Sequence, residues 1–214
     1  MTSFVIPNLE KITAFWSEVV STIDGLLEET DEQSAHGLLS QYEHQLKGID
    51  DNLTFHFERN EQHDRIEMVI GCDGYTQSIA AVLSLVDAAP SIDGLQVIAF
   101  NGRINPMPEL IRVGDDEYSL DQFWFSQRLE GGEYHLSVFL DGLDDMDGNP
   151  AVEAVMIYLD ALLGEFDLMT RVATLSWYDK PVDPIDFSLL PLAALRDSFD
   201  RFRKQVRLIG VTLH

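Results

Sequence analysis

Between residues 51 and 178 the hydrophobic period switches from two to three-and-four and back, twice, in the same order. Leu53, Phe55 and Phe57 alternate with Thr54, His56 and Glu58. After a polar turn from Asn60 to Asp64, Ile66, Met68 and Ile70 alternate with Glu67 and Val69. Alternation of this kind predicts a hairpin with one buried face. A helix is predicted from about Thr76 to Ala88, stopped by Pro90, and then a near-continuous apolar strand from Leu95 to Phe100, buried on both faces. The second pass runs through a hairpin, Phe123–Leu129 and Tyr134–Leu140 around Gly131–Gly132, a helix from Pro150 to Leu163 and a strand from Arg171 to Tyr178. A shift of 68 positions places Phe123 on Phe55, Phe125 on Phe57, Leu136 on Met68, Val138 on Ile70, Asp141 on Asp73 and Gly142 on Gly74. The last strands align with a larger shift, Trp177 against Phe100.

Two strand–strand–helix–strand units restrict the fold to the α+β class, with a mostly antiparallel sheet. Either the strands join in one continuous sheet with both helices on one face, or two small sheets form. The first unit spans 51–101 and the second 121–178, within a single compact domain over 1–214. A helical pair over 1–50 precedes them. In it Ile12, Phe15, Trp16, Val19, Val20, Ile23, Leu26 and Leu27 line one stripe after an Asn8 N-cap, and a second helix runs from about Asp31 to Gly48. Between the units, Ile111–Leu120 reads as a small hairpin turning at Gly114–Asp116. A C-terminal helix is predicted over 188–210, its stripe running from Leu192 through Phe199 to Ile209.

Charge narrows the possible partners. The 214 residues hold 37 acidic and 14 basic side chains, for a net charge of −23. Five of the basic ones (Arg196, Arg201, Arg203, Lys204, Arg207) lie near the C-terminus, so residues 190–214 carry +3 and residues 1–189 carry −26. Nucleic-acid backbones and anionic membranes both need clustered cations, and neither is expected as a partner. A basic protein is, and so is a homo-oligomer in which the cationic tail helix meets an acidic neighbour. Local capping of the last helix and attraction to the acidic body account for the same cluster without any partner. A single cysteine, Cys72, excludes an internal disulfide, and no N-terminal stretch has the pattern of a signal peptide. With no long apolar run either, a cytoplasmic location is expected.

Chemistry-bearing patterns are sparse. Asp141, Asp144, Asp145 and Asp147 crowd one loop, but the spacing is not that of an EF-hand. With Gly148 as the required glycine, the first and twelfth ligand positions fall on Leu143 and Ala154. The six histidines are scattered and form no metal motif. No phosphate-binding loop, nucleophile elbow or dinucleotide fingerprint is present, and no cofactor or metal is expected. Asp73 and Asp141, each followed by glycine at a strand end, either cap or shape the turn that follows or face each other as a carboxylate pair for acid–base work. Arg103 is an isolated cation in the irregular loop 101–110. It is placed to hold a carboxylate or phosphate ligand, or to form an internal ion pair.

Several segments resemble an uncharacterised family of bacterial cytoplasmic proteins. They are Phe15–Trp16, Asp51–Leu53 with Phe55 and Phe57, Ala88–Pro90, Ile98–Phe100 with Arg103, and Leu163–Glu165. The resemblance brings no activity, and draws attention to Arg103 and Glu165 as polar members of apolar motifs. The candidate binding residues are therefore Arg103, Asp73, Asp141 and Glu165. The leading expectation is a non-catalytic interaction or regulatory protein with a basic protein partner. The alternative is a hydrolase with carboxylates, and a divalent ion, between the two units.

Overall fold

A computed structural model describes residues 8–28, 32–60, 64–143 and 148–209. The fold is α+β, as the alternating periods required. Contacts divide the chain into two compact units, Met1–Asn101 and Gly102–His214. The physical reason is local: each crossover helix covers the sheet formed by its own neighbours in sequence.

The first unit opens with α1 (Leu9–Glu28) and α2 (Glu32–Ile49). Asn8 caps α1, its Oδ1 accepting from the Glu10 amide at 2.9 Å. Phe15, Trp16, Val19 and Ile23 are buried, and Phe15 meets Tyr42 of α2 edge-on at 6.1 Å. Val20 and Leu27, placed on the stripe by spacing, are exposed, because the buried arc of α1 is narrower than its apolar arc. Strands β1 (Thr54–Asn60) and β2 (Arg65–Gly71) pair antiparallel. The chain then passes through a short 3-10 turn, Thr76–Ser78, and α3 (Ile79–Asp87) to β3 (Leu95–Ala99), which pairs parallel with β2. The Trp16 indole donates to the Leu85 carbonyl of α3 at 2.8 Å, tying α1 to the crossover helix.

The strand order β1-β2-β3 puts β2 in the centre, and Met68, Val69 and Ile70 are all buried. Strand β3 is an edge strand and only half-buried, not covered on both faces as its apolar run suggested. It stops at Ala99 because Phe100 takes a left-handed φ of 66° that no strand can continue.

In the second unit β4 (Leu110–Val113) and β5 (Asp116–Ser119) form the predicted hairpin. Next come β6 (Trp124–Glu130), β7 (Glu133–Leu140), α4 (Pro150–Leu163), α5 (Glu165–Arg171), β8 (Val172–Asp179), β9 (Leu190–Pro191) and α6 (Leu195–Phe202). The sheet order is β8-β7-β6-β9, with β7 and β8 parallel and the other pairs antiparallel. Phe125, Leu136, Val138 and Leu140 form a core with Val155, Tyr158, Leu159 and Leu162 of α4 and with Leu195 and Phe199 of α6. The Tyr158 hydroxyl donates to the Tyr118 carbonyl at 2.9 Å and joins α4 to the small hairpin. The strands thus lie in separate sheets, not in one continuous sheet.

The same order and sense of pairing recur in the two units, with a corrected register. Phe55 faces Ile70 as Phe125 faces Val138, so Phe125 and not Phe123 answers Phe55. Ala99, beside Ile70, and not Phe100, answers Trp177, beside Val138. A further correction concerns the last helix, predicted over 188–210. Its residues 190–191 pair with β6, and α6 ends at Phe202. Beyond it the Arg207 amide donates to the Gly132 carbonyl at 2.9 Å and the Ile209 amide to Thr170 at 2.7 Å. Tertiary bonds thus take the donors that a longer helix would use.

Leu136→Ala, at the fully buried centre of β7, is expected to lower unfolding free energy by about 3 kcal/mol in denaturant titrations. Val20→Ala, despite its place on the apolar stripe, is expected to stay within about 0.5 kcal/mol of the parent.

Candidate functional site

The residues singled out by sequence fall in two kinds of place. Arg103 and Glu165 both lie at one junction inside the second unit. Asp73 lies in the first unit and Asp141 in the second, each at an exposed turn.

The junction follows from how α4 ends. Gly164 adopts φ 81° and ψ 145°, a conformation that glycine reaches without a Cβ penalty, and the chain turns directly into α5. The last carbonyls of α4 then lack intrahelical donors in a buried setting. Three groups from distant parts of the unit satisfy them. The Ile104 amide donates to the Ala161 carbonyl at 2.9 Å. Arg196 donates to the carbonyls of Ala161 at 2.9 Å and Leu162 at 3.2 Å. Arg103 Nε donates to the Leu163 carbonyl at 3.0 Å. Two guanidinium groups at a helix C-terminus also oppose the negative end of its dipole.

The other face of Arg103 grips Asp200 of α6 with two bonds, at 2.8 and 2.9 Å. This bidentate grip holds the Asp200 carboxyl below the usual carboxylate range, with partial burial pulling the other way. Arg103 also lies 3.7 Å from Asp167 Oδ2 and 5.9 Å from the centre of the Phe199 ring. Asp167 is buried and is further held by Arg171 Nε at 2.7 Å and by Arg203. Arg171 continues to the carbonyls of Arg203 and Val206, each at 3.2 Å. Glu165, 5% exposed, is the first residue of α5 beside this network.

Arg103 therefore forms the internal ion pair that was one of its two sequence readings. The two motifs with polar members, at 103 and at 163–165, are brought together by the Arg103–Leu163 bond. Of the remaining partners, Arg196 and Arg203 stood out only as members of the C-terminal basic cluster, and Asp167, Arg171 and Asp200 were not singled out. Their signal was the four-residue spacing of Asp167 to Arg171 and of Arg196 to Asp200, which sets acid and base on one helix face. Helix α5 itself went unread, because its seven residues are too few to show a period.

Neither Asp73 nor Asp141 caps a helix. Asp73 takes a left-handed φ of 47° before Gly74, and its Oδ1 accepts from Thr54 Oγ1 at 3.4 Å. Asp141 is exposed and paired with Lys180 Nζ at 2.6 Å. The cap of α4 is Asn149, whose Oδ1 accepts from the Ala151 amide at 2.9 Å while its Nδ2 donates to the Gly142 carbonyl at 3.1 Å. Asp144, Asp145 and Asp147 lie outside the described residues, as do His63 and His214. Among the described residues no group of three or more His, Cys, Asp or Glu side chains is arranged to hold a metal ion. No described helix is long and apolar enough to cross a membrane.

Sequence reading also missed the outer face of the four-stranded sheet. In-register pairing sets side by side Tyr178, Phe139, Trp124 and Pro191; then Ser176, Ser137 and Ser126; then Thr174, His135 and Arg128. The hydroxyl and imidazole rows line a shallow concavity of about 310 Å³, within which His135 Nδ1 and Thr174 Oγ1 share a 2.9 Å hydrogen bond. Alternation predicted that these positions face away from the core. Their alignment across strands depended on the register.

Comparison with protein-family models, with curated proteins and with solved structures finds no match for this chain.

Asp167→Asn removes the anion shared by three guanidinium groups and is expected to cost roughly 3 kcal/mol in denaturant unfolding. Asp200→Asn, at a half-exposed carboxylate, is expected to cost under about 1 kcal/mol. Because folding depresses the Asp200 pKa, its contribution is present above the unfolded value, near about pH 4, and disappears as pH falls through the folded value. Acid titration of stability should therefore be shallower below about pH 4 for Asp200→Asn than for the parent.

Proposed function

We propose that this chain is a non-catalytic cytoplasmic interaction or regulatory protein whose acidic surface binds a basic protein partner. In this reading it is kin to the uncharacterised bacterial family that it resembles. The observation that carries the proposal is the division of labour between its charges. The net charge is −23, and four of the ten cationic side chains of the second unit (Arg103, Arg171, Arg196 and Arg203) point their donors at internal carboxylates and carbonyls. Cations committed to acceptors of their own unit are not free to pair with the other surface carboxylates, and the net field of one sign favours rapid, salt-sensitive encounter with a partner of the other sign.

A hydrolase built on Asp73 and Asp141 has less behind it. Both carboxylates are exposed, and Asp141 already holds Lys180. The candidate cation Arg103 is engaged by Asp200 on one side and by the end of α4 on the other.

Affinity capture from the native host at low ionic strength should recover a stoichiometric basic protein. It should be released as salt rises and the Debye length shortens to about 8 Å at physiological ionic strength. Recovery of no partner at low ionic strength would overturn the proposal.

A further inference from the structure

We propose that the partner docks where the segment 181–191 meets the aromatic row of the second unit's sheet, and that it presents lysine or arginine interleaved with apolar side chains. The inference rests on the basic-partner reading above and names the surface and the recognition chemistry.

The segment is a fixed structure that turns apolar side chains outward. Its backbone is pinned by an Asp183 Oδ1 that accepts from the Ile185 amide at 3.2 Å. The Phe187 and Leu189 amides both donate to the Pro184 carbonyl, at 3.2 and 3.1 Å, and Ser188 holds a left-handed φ of 56°. Leu189 is the buried anchor, and the Leu192 amide donates to the Phe123 carbonyl at 2.9 Å. On this frame Val182 is fully exposed, Ile185 is 71% exposed and Phe187 67%. Single exposed apolar residues are ordinary on protein surfaces. Three within six positions of a hydrogen-bonded turn concentrate exposed apolar surface on one short segment, and apolar patches of this kind mark interaction sites.

The segment leads into the sheet. Pro191 ends the segment and stands in register with Trp124, which is followed across the sheet by Phe139 and Tyr178. The Phe139 and Tyr178 rings stack at 5.2 Å with 23° between their planes, and Tyr178 is half exposed. Aromatic rings of this kind receive ammonium and guanidinium groups on their faces.

Charge selects the occupant. Asp183 and Asp186 alternate with Val182, Ile185 and Phe187 along the segment, and Asp179 precedes it; all three aspartates are exposed. No cation lies within the segment, and Lys180, which immediately precedes it, is paired to Asp141. An apolar centre interleaved with carboxylates matches a partner segment with the complementary alternation. Apolar anchors supply affinity, and the charges supply encounter rate and register.

The test uses the full chain and two synthetic cationic peptides of equal length and charge, one alternating lysine with leucine and the other lysine with serine. Their binding is followed by fluorescence anisotropy at low and at physiological salt. The leucine peptide is expected to bind at least about tenfold more tightly, a difference of about 1.4 kcal/mol. The double substitution Ile185→Ser with Phe187→Ser should abolish that preference while leaving the serine peptide unchanged. Both sites are exposed, so the fold should survive, which circular dichroism checks. A leucine preference that persists in the double variant overturns the assignment of the surface and leaves the acidic-protein reading intact. Failure of both peptides to bind at low salt overturns that underlying reading. Self-association of the parent that is lost in the double variant would make a second copy of this chain the occupant and would also overturn the proposal.

Discussion

The buried end of α4 is the constraint on which the second unit depends. A parallel β7–β8 pair obliges the chain to cross the sheet and return, and α4 makes that crossing with its apolar side on the core. The crossing must stop inside the protein, where Gly164 reverses the chain and bare carbonyls would otherwise face an apolar interior. Arg103, from just before the small hairpin, and Arg196, from α6, supply the missing donors. Their long stems reach from segments far apart in sequence, so one capping requirement draws three parts of the chain to one point. Asp167 and Asp200 then neutralise guanidinium groups that would otherwise be buried without counter-charge.

The same arrangement changes how the charge count is read. A basic C-terminal cluster on a strongly acidic chain suggests an outward-facing tail, yet Arg196 and Arg203 face inward and Arg207 reaches Glu133 on the neighbouring hairpin. The basic cluster is thus bound up in contacts within its own unit and does not form a free cationic tail. Exposed Ile185 and Phe187 lie beside exposed Asp183 and Asp186, so apolar and anionic side chains share one surface segment.

The two units share a pairing pattern and differ in what their outer faces carry. Ser126, Ser137 and Ser176 occupy the register that His56, Val69 and Ile98 occupy in the first unit. Topology is set by the alternation of apolar residues toward each core, and it is indifferent to the residues pointing away. That indifference leaves the outer face open to specialisation, as the row from Tyr178 to Pro191 illustrates.

By itself the sequence determined most of the elements and their order, though not α5 or β9. Periods of two at 53–57 and 134–140, the three-and-four spacing of 150–163, Pro150 at the start of α4 and Asn8 before α1 are local signals with local causes, and each element formed where they placed it. It also marked Arg103 as an isolated cation in the irregular loop 101–110. Only the tertiary structure decided that Arg103 faces Asp200 across 97 positions, that 190–191 pairs with β6 instead of opening a helix, and that the chain after Phe202 hands its amides to Gly132 and Thr170. Side-chain spacing reports which way a residue faces along its own element. Which donor meets which acceptor between elements depends on register and on chain reversal, and a buried polar group takes whichever partner packing brings within hydrogen-bond reach.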